Sequence, residues 1–182
     1  EDFKRSTFFL KKNLKKPAIF FDRDGTINKD LKYVYQKEKI IWNKTAFNAI
    51  KKLNQNCYVF IITNQSGIGR GFYTEKHVFK LHDWMNDQFG KKGAHIDDFF
   101  YAPYFKLSKN KKFIKNKYLR KPNSGMINLC KKKWSIDERK SFIIGDSKSD
   151  IDLAKKIKYR YFKVNFKQDL NIISNKICKI VM

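Results

Sequence analysis

The stretch Ala18-Ile19-Phe20-Phe21-Asp22-Arg23-Asp24-Gly25-Thr26 decides the fold, because an apolar run ends there in two carboxylates. A short apolar run that stops at a glycine indicates a buried β-strand. Residues i and i+2 of an extended segment share a face, so Asp22 and Asp24 can project into one site at the carboxyl end of the strand. Gly25 lets the backbone turn sharply away. The stretch therefore predicts a buried strand. The Asp pair at its end fits a nucleophile beside an acid or, taken alone, a helix-capping or turn pair, and three further segments decide between the two readings.

Further apolar runs of strand length follow, and they are nearly continuous instead of alternating. They lie at residues 57–62, 99–102, 142–144 and 161–164. Such runs are typical of a parallel sheet that is buried on both faces. Helical stripes separate them at Ala46, Ile50 and Leu53; at Val78, Leu81, Met85 and Phe89 after a Thr74 N-cap; at Met126, Leu129, Cys130 and Trp134; and at Ile151, Ala154 and Ile157. The alternation predicts an α/β fold, a doubly wound parallel sheet with flanking helices and a ligand site beyond the carboxyl ends of its strands.

The remaining segments carry weaker signals. Residues 106–117 are basic without an apolar period, which indicates an exposed loop. Ile172, Ile173, Ile177 and Ile180 fit either a terminal helix or a strand.

Length and composition indicate one domain over residues 1–182, with a core at about residues 17–166. No apolar run approaches the ~18 residues of a membrane span, and Phe8-Phe9-Leu10 is too short for a signal peptide, so we expect a cytoplasmic protein. Cys57, Cys130 and Cys178 are widely spaced and lack a CxxC pattern. They indicate reduced, buried thiols and neither a disulfide framework nor a zinc knuckle.

The formal charge of +24 makes nucleic acid, a membrane surface and small anions candidate partners. Only six of the 41 basic residues are Arg, the residue preferred where phosphate or base edges are bound by bidentate geometry. The runs Lys11-Lys12, Lys15-Lys16 and Lys131-Lys132-Lys133 are typical of solvated polar faces. Charge alone therefore names no ligand.

The segment Ile61-Ile62-Thr63-Asn64-Gln65-Ser66-Gly67-Ile68-Gly69-Arg70-Gly71 follows the second predicted strand. Thr63 should emerge beside the Asp pair, where its hydroxyl can hold a phosphoryl oxygen. The glycines fit either a phosphate-binding backbone nest or a flexible turn. The segment lacks the GK[ST] of a nucleotide P-loop, which argues against nucleotide binding of that kind.

Arg120-Lys121-Pro122 precedes the third predicted helix, with Pro122 at its expected first position. Lys121 can neutralise charge on Asp22 and on a phosphoryl group, or it can be an ordinary surface lysine.

A further apolar strand ends in Ile143-Ile144-Gly145-Asp146-Ser147-Lys148-Ser149-Asp150. Close carboxylates repel, and a hard cation such as Mg²⁺ relieves that repulsion. Asp146 is placed to complete a Mg²⁺ shell with Asp22 and the backbone carbonyl of Asp24. Asp150 can orient water or Lys121, or cap the next helix.

Four segments carry a resemblance to a known family, namely those that contain Asp22, Thr63, Lys121 and Asp146. In this order, and each at the end of a strand, they resemble the haloacid dehalogenase superfamily of phosphatases over about residues 18–164. The resemblance implies a Rossmann-like, capless domain and hydrolysis through an aspartyl-phosphate. It further implies that Asp22 is the nucleophile, Asp24 the general acid/base, Thr63 and Lys121 phosphoryl stabilisers, and Asp146 a Mg²⁺ ligand with Asp22 and Asp24.

Within that superfamily, five segments are most similar to the D-glycero-D-manno-heptose 1,7-bisphosphate phosphatases and the related histidinol-phosphatase domains. They are Asp22-Arg23-Asp24-Gly25-Thr26-Ile27-Asn28, Tyr33-Val34, Thr63-Asn64-Gln65-Ser66-Gly67-Ile68, Trp84-Met85 and Arg120-Lys121-Pro122. The similarity implies a small phosphorylated substrate, a sugar phosphate such as a heptose bisphosphate. We expect the protein to be a monomer. It places the sugar and the distal phosphate near Asp30, Tyr33, Asn64, Gln65, Ser66 and Arg120.

One departure from that subfamily concerns zinc. Its members commonly carry a loop of three Cys and one His, and the matching positions here are Ala102, Tyr104, Lys117 and Leu119. His77, His82 and His95 lie outside the loop and are typical of surface or packing residues. We therefore expect no structural zinc.

Three alternatives stay open at this point. One is a histidinol-phosphate phosphatase. Another is a polynucleotide 3′-phosphatase, whose TNQ-x-GIGRG and RKP-x-x-GM motifs are similar to segments here and which the charge fits. Arg23 and the scarcity of stacking aromatics in the basic stretches argue against it. The third is a catalytically silent domain of a fusion protein, against which the intact set of acids, Thr63 and Lys121 argues.

Overall fold

The computed structural model describes residues 14–182, so the predictions for Phe8-Phe9-Leu10 and Lys11-Lys12 fall outside the described residues. Five parallel strands form one sheet in the order β3-β2-β1-β4-β5. Their bounds are β1 Ala18–Phe21, β2 Tyr58–Asn64, β3 Asp98–Ala102, β4 Phe142–Gly145 and β5 Arg160–Lys163. The predicted doubly wound parallel α/β sheet is confirmed.

Helices alternate with the strands, as the apolar stripes predict. They are α1 Ala46–Leu53, α2 Ser66–Arg70, α3 Glu75–Lys91, α4 Lys111–Lys115, α5 Gly125–Lys133, α6 Lys148–Lys156 and α7 Leu170–Val181. Short 3₁₀ turns lie at Lys37–Lys39, Asn116–Leu119 and Glu138–Lys140. Thr74 caps α3 as expected, and its hydroxyl accepts from the backbone N–H of His77. The open question at the C-terminus is resolved in favour of a helix.

The two faces of the sheet bury two separate apolar layers, because successive strand side chains point to opposite sides. Ile19 and Phe21 pack with residues of α1, α3 and α7 on one face. Ala18 and Phe20 pack with residues of α5 and α6 on the other. Cys57, Cys130 and Cys178 are buried free thiols, as predicted.

Three local predictions are wrong. The basic stretch 106–117 is not all loop, because it contains α4. Pro122 is not the first residue of a helix: the Lys121–Pro122 peptide bond is cis, the chain turns there, and α5 begins at Gly125. Leu129 is 37% exposed, so it is not part of the core stripe of α5.

The order of the strands places a binding site at one edge of the sheet. β1 is central, with β2 on one side and β4 on the other, so the crossovers diverge at the end of β1. Ligands bind at such switch points in open α/β sheets. Asp22 follows β1, Thr63 lies near the end of β2, and Asp146 follows β4.

Between residues 14 and 182, no helix has the length and apolar content needed to cross a lipid bilayer.

Candidate active site

Asp22 lies directly beyond β1 and keeps only 8% of its surface exposed. Its backbone N–H donates to the carbonyl of Ile144 at 2.8 Å, which ties the end of β1 to β4. Its Oδ1 accepts a hydrogen bond from the backbone N–H of Arg23 at 2.7 Å. The carboxylate is therefore held in one orientation at the edge of the sheet.

Lys121 is buried between two carboxylates, which rules out the alternative of an ordinary surface lysine. Its Nζ lies 2.8 Å from Asp22 Oδ1 and 2.6 Å from Asp150 Oδ1. It also donates to the carbonyl of Ile62 at 2.9 Å. The ammonium is thus fixed against Asp22, where it can also meet a phosphoryl oxygen.

Asp150 fulfils both of the roles left open for it. While Oδ1 faces Lys121, Oδ2 accepts from the backbone N–H and the hydroxyl of Ser147, at 3.1 and 2.6 Å, and so caps α6.

The charges at this point do not balance, because one ammonium faces two carboxylates. Burial raises the pKa of Asp22 to about 8; the charge of Lys121 opposes this rise, and that of Asp150 adds to it. Burial opposes the charged form of Lys121 as well, but the two carboxylates raise its pKa. Ionised Asp22 would therefore add a negative charge that Lys121 alone cannot balance, and a further cation would favour that ionised form.

Asp24 is held by a dense set of donors. Its Oδ2 accepts from Arg23 Nε at 3.1 Å, Arg23 Nη2 at 2.8 Å and Gln65 Nε2 at 3.0 Å. Its Oδ1 accepts from Asn28 Nδ2 at 2.9 Å. The carboxylate still lines the cleft, so it is oriented and accessible at once.

Gln65 connects Asp24 to Thr63. Its Nε2 also donates to Thr63 Oγ1 at 2.8 Å, and its Oε1 accepts from the hydroxyl of Tyr73 at 2.7 Å. Because the hydroxyl of Thr63 accepts from Gln65, its own proton is free to point at a phosphoryl oxygen. Gln65 is 2% exposed with its amide fully used. The prediction that it lines the substrate is therefore corrected: it orients two neighbours instead.

The glycine-rich segment is explained by packing. Gly67 and Gly69 lie within α2, and only Gly71 has a left-handed backbone, at φ 79°. A Cβ atom at Gly67 would lie 2.3 Å from the ring of Tyr73. This glycine therefore allows Tyr73 to reach Gln65.

Three carboxylates form a candidate metal site. Oxygens of Asp22, Asp146 and Asp150 lie within 4.8 Å of one another, the one such group of His, Cys, Asp and Glu found among residues 14–182. Burial, followed by the charge of Asp150, raises the pKa of Asp146. Clustered carboxylate oxygens are donors that Mg²⁺ prefers, and such an ion would favour their ionised forms. The side chain of Asp24 is outside this group, so only its backbone carbonyl remains a predicted ligand.

The site opens into a polar cleft of about 220 Å³. Its lining consists of Asp22, Asp24, Asp30, Thr63, Asn64, Lys121, Asp146, Ser147 and Ser149. The four segments singled out in the sequence therefore converge on one cleft.

Gly25 is required by its approach to Asp146. It has φ 90°, and a Cβ atom there would lie 2.2 Å from Asp146 Oδ2. Gly25→Ala is expected to lower the affinity for Mg²⁺ by about 10- to 100-fold, because the carboxylate would be displaced. Titration calorimetry measures the affinity.

Gly71→Ala is the matched control for this substitution, since Gly71 has a similar φ of 79° and nothing within 4 Å of its Cβ position. Equal losses of affinity in the two variants would mean that backbone strain, and not the contact with Asp146, is responsible.

The residues predicted to contact the substrate differ in whether their side chains remain available to a ligand. Asp30 lines the cleft, and its Oδ1 accepts from the backbone N–H of Lys32 at 2.7 Å. Tyr33, with φ 56°, is 41% exposed. Asn64 Oδ1 accepts from the backbone N–H of Lys121 at 3.0 Å, and Asn64 Nδ2 donates to the carbonyl of Lys121 at 3.3 Å. Asn64 therefore fixes Lys121, whereas Asp30 and Tyr33 remain available to a ligand.

Arg120 and Ser66 do not line the cleft. Arg120 Nη1 is buried and has no hydrogen-bond partner within the described part of the chain. Burial lowers the pKa of Arg120, and the charge of Arg70 acts in the same direction. Ser66 begins α2 and is partly buried.

Sequence reasoning missed the roles of Arg23 and Tyr73 and the contact of the buried His82 with Arg23. Arg23 is fully buried, bonds Asp24 and donates to the carbonyl of Val34 at 2.7 Å. The one available signal was an arginine between two aspartates at the end of an apolar strand. Nothing in the sequence marks Tyr73 or His82.

The positions that match the zinc loop are occupied by non-ligands. Ala102 ends β3, and Leu119 packs in the apolar layer that contains Phe100 and Met126. The absence of structural zinc remains a prediction. Metal analysis of the purified protein tests it, and stoichiometric zinc would contradict it.

Comparison with known proteins gives a consistent set of relatives. A family model described as Polynucleotide kinase 3 phosphatase matches residues 17–176. The D-glycero-beta-D-manno-heptose-1,7-bisphosphate 7-phosphatase of Rhodopseudomonas palustris is 43% identical over 142 residues, which cover 78% of this chain and 79% of the relative. The D-glycero-alpha-D-manno-heptose-1,7-bisphosphate 7-phosphatase of Photorhabdus laumondii is 39% identical over 135 residues, 74% of each chain.

Solved structures share the fold. A putative had-like phosphatase from Mesorhizobium loti superposes with a TM-score of 0.80 at 24% identity, over 92% of this chain and 88% of that one. The D,D-heptose 1.7-bisphosphate phosphatase from B. bronchiseptica, complexed with magnesium and phosphate, superposes with a TM-score of 0.77 at 23% identity, over 90% and 98%.

Proposed function

The chain belongs to the haloacid dehalogenase-like phosphatases, in the branch of the heptose-1,7-bisphosphate phosphatases, and we propose that it hydrolyses the 7-phosphate of such a heptose bisphosphate. It is a phosphoric monoester hydrolase, as its four segments predict. The observation that carries the proposed mechanism is the approach of Lys121 Nζ to 2.8 Å from Asp22, in a cleft that Thr63 and Asp146 also line.

The proposed reaction has two steps. Asp22 attacks the phosphorus in line, the bond to the sugar oxygen breaks, and Asp24 donates a proton to that leaving oxygen. Asp24 then takes a proton from water, which cleaves the aspartyl-phosphate and restores Asp22. Thr63 and Lys121 hold the oxygens of the phosphoryl group throughout.

Asp22, Asp146 and the backbone carbonyl of Asp24 are the proposed holders of Mg²⁺, with Asp150 beside them. The ion would offset the repulsion between an anionic nucleophile and an anionic phosphate. The carboxylate group described above fits this role because it has more negative charge than Lys121 can balance.

The proposed site for the second phosphate is the region of Arg120. Its buried Nη1 lacks a partner among the described residues, and a buried guanidinium N–H without an acceptor is costly unless a ligand supplies one. Arg70 acts on the same region: its guanidinium lies 3.9 Å from the ring centroid of Phe105 and 5.9 Å from that of Tyr33. Two arginines, with Tyr33 at the rim, would suit a phosphorylated sugar.

Arg120→Ala is expected to raise KM for a heptose bisphosphate by about 10-fold or more while KM for a monophosphate changes little, because a charge-assisted hydrogen bond is lost. Steady-state kinetics with both substrates measure the difference. Arg139→Ala, at an exposed arginine, is the control. Equal changes for both substrates would contradict a role for Arg120 at the distal phosphate.

A substrate panel tests the proposed function. It contains the α and β anomers of heptose 1,7-bisphosphate, since 7-phosphatases of both kinds are among the relatives, together with histidinol phosphate and 3′-phosphorylated DNA. We expect the highest kcat/KM with one heptose anomer. A higher value with histidinol phosphate or DNA would overturn the substrate assignment and leave the phosphatase activity intact.

The second candidate function is hydrolysis of a 3′-phosphate on a polynucleotide. The matching family model and the charge of +24 favour it. Salt separates the two candidates: binding of DNA should weaken steeply as salt rises because counterions are released, whereas a sugar phosphatase should respond modestly.

We further propose that one copy of the chain, as a single domain, suffices for activity. All residues of the proposed mechanism come from one chain and line one cleft. Light scattering of the active protein should give the mass of a monomer.

A further inference from the structure

His82 lies behind Arg23, away from the cleft. It belongs to α3, is 3% exposed, and stacks on the ring of Phe99 with centroids 4.5 Å apart. Its Nε2 lies 3.3 Å from Arg23 Nη1. Its Nδ1 is buried and has no hydrogen-bond partner among residues 14–182.

The hydrogen bond between Arg23 and His82 can have only one direction. A guanidinium has donors only, so Nε2 of His82 must be the acceptor and the proton of the neutral ring must be on Nδ1. Burial, followed by the charge of Arg23, lowers the pKa of His82 well below its usual value, which agrees with a neutral ring. The ring thus keeps one buried N–H unpaired, whereas an apolar side chain at this position would have avoided that cost.

The guanidinium of Arg23 contacts both His82 and Asp24. Its Nη1 faces His82, its Nη2 donates to the carbonyl of Val34 and to Asp24 Oδ2, and its Nε also donates to Asp24 Oδ2. A guanidinium is planar and rigid, so partners at both ends fix its plane and therefore the direction of the Asp24 carboxylate.

The two carboxylate oxygens of Asp24 accept different numbers of hydrogen bonds. Oδ2 accepts three N–H groups, from Arg23 and Gln65, while Oδ1 accepts one, from Asn28. An oxygen that accepts three donors has no lone pair left for a proton, whereas Oδ1, with one donor, keeps a lone pair available.

We infer that His82 is a positioning residue for proton transfer: by fixing the plane of Arg23 it holds Asp24 with Oδ2 fully occupied by donors and with a lone pair of Oδ1 left to exchange a proton with the leaving oxygen. The inference rests on the mechanism proposed above. It assigns His82 no contact with the substrate.

Replacement of His82 tests the inference through the dependence of rate on the leaving group. Phenyl phosphate needs a general acid, whereas p-nitrophenyl phosphate has a leaving group that departs with little help. In His82→Leu the first phosphoryl transfer, measured as a pre-steady-state burst, should slow about 10-fold or more with phenyl phosphate and less than about 2-fold with p-nitrophenyl phosphate. His82→Gln, whose side-chain carbonyl can accept from Arg23, should recover most of the loss.

Several outcomes would overturn the inference. They are an unchanged rate with phenyl phosphate in His82→Leu, equal slowing with both esters, or a folded His82→Gln no better than His82→Leu. If His82→Leu did not fold, His82→Met would replace it; if neither folded, the role of His82 would be purely structural and the inference wrong.

Asp22→Asn in the same assay separates this inference from the mechanism. Turnover by Asp22→Asn would refute the proposed mechanism itself. An inactive Asp22→Asn together with a His82→Leu that is insensitive to the leaving group would refute only the role of His82.

Discussion

Asp22→Asn is expected to reduce turnover by about 10⁴-fold or more, because the amide has nearly the shape of the carboxylate but cannot attack phosphorus. Hydrolysis of p-nitrophenyl phosphate with Mg²⁺ measures the loss. Mass spectrometry of the acid-quenched protein should find phosphate on Asp22 in the unaltered chain and none in the variant.

Asp152→Asn is the matched control, since Asp152 forms an ion pair with the exposed Lys148 and does not line the cleft. Its turnover should equal that of the unaltered protein. Asp22→Asn should also be at least as stable as the unaltered protein, because it removes one of two buried carboxylates that share a single ammonium. Wild-type turnover in Asp22→Asn would refute the assignment of the nucleophile.

Lys121→Met is expected to destabilise the protein by about 3–5 kcal/mol and to remove nearly all activity. The substitution leaves Asp22 and Asp150 buried without the ammonium that lies 2.8 and 2.6 Å from them. Urea unfolding measures the free energy. The loss should be larger at pH 8 than at pH 5, because burial raises the pKa of Asp22 to about 8, so its carboxyl is neutral at pH 5 and partly ionised at pH 8.

Lys148→Met is the control for this substitution. Lys148 also pairs with a carboxylate at 2.6 Å, but its side chain is 86% exposed. Its loss should cost no more than about 0.5 kcal/mol. Comparable destabilisation in both variants would mean that the burial of Lys121 between two acids is not what makes it important.

The elements that bring the site together could be predicted because they follow from a linear pattern. β1 is a continuous apolar run, and parallel strands end at the same edge of the sheet. Asp22, Thr63 and Asp146 could therefore be placed together from their positions at the ends of such runs. The strand bounds differ from the predicted ones by no more than two residues.

The support around these residues could not be predicted, because it depends on long-range packing. Lys121 is one of 35 lysines, and only the fold shows that it is buried. Gln65 looks like a substrate contact until Tyr73 and Asp24 are seen to occupy its amide. Pro122 looks like the start of a helix, but the turn after Lys121 delays α5 to Gly125.

Gln65 donates hydrogen bonds to both Asp24 and Thr63, and this has a practical consequence for redesign of the enzyme. One amide joins the proposed general acid/base to the proposed phosphate-binding hydroxyl, so a change at Gln65 is expected to alter both roles together. Libraries aimed at new esters should therefore keep position 65 constant and diversify the rim at Asp30, Tyr33, Arg70 and Arg120, where specificity can drift while the chemical machinery is preserved.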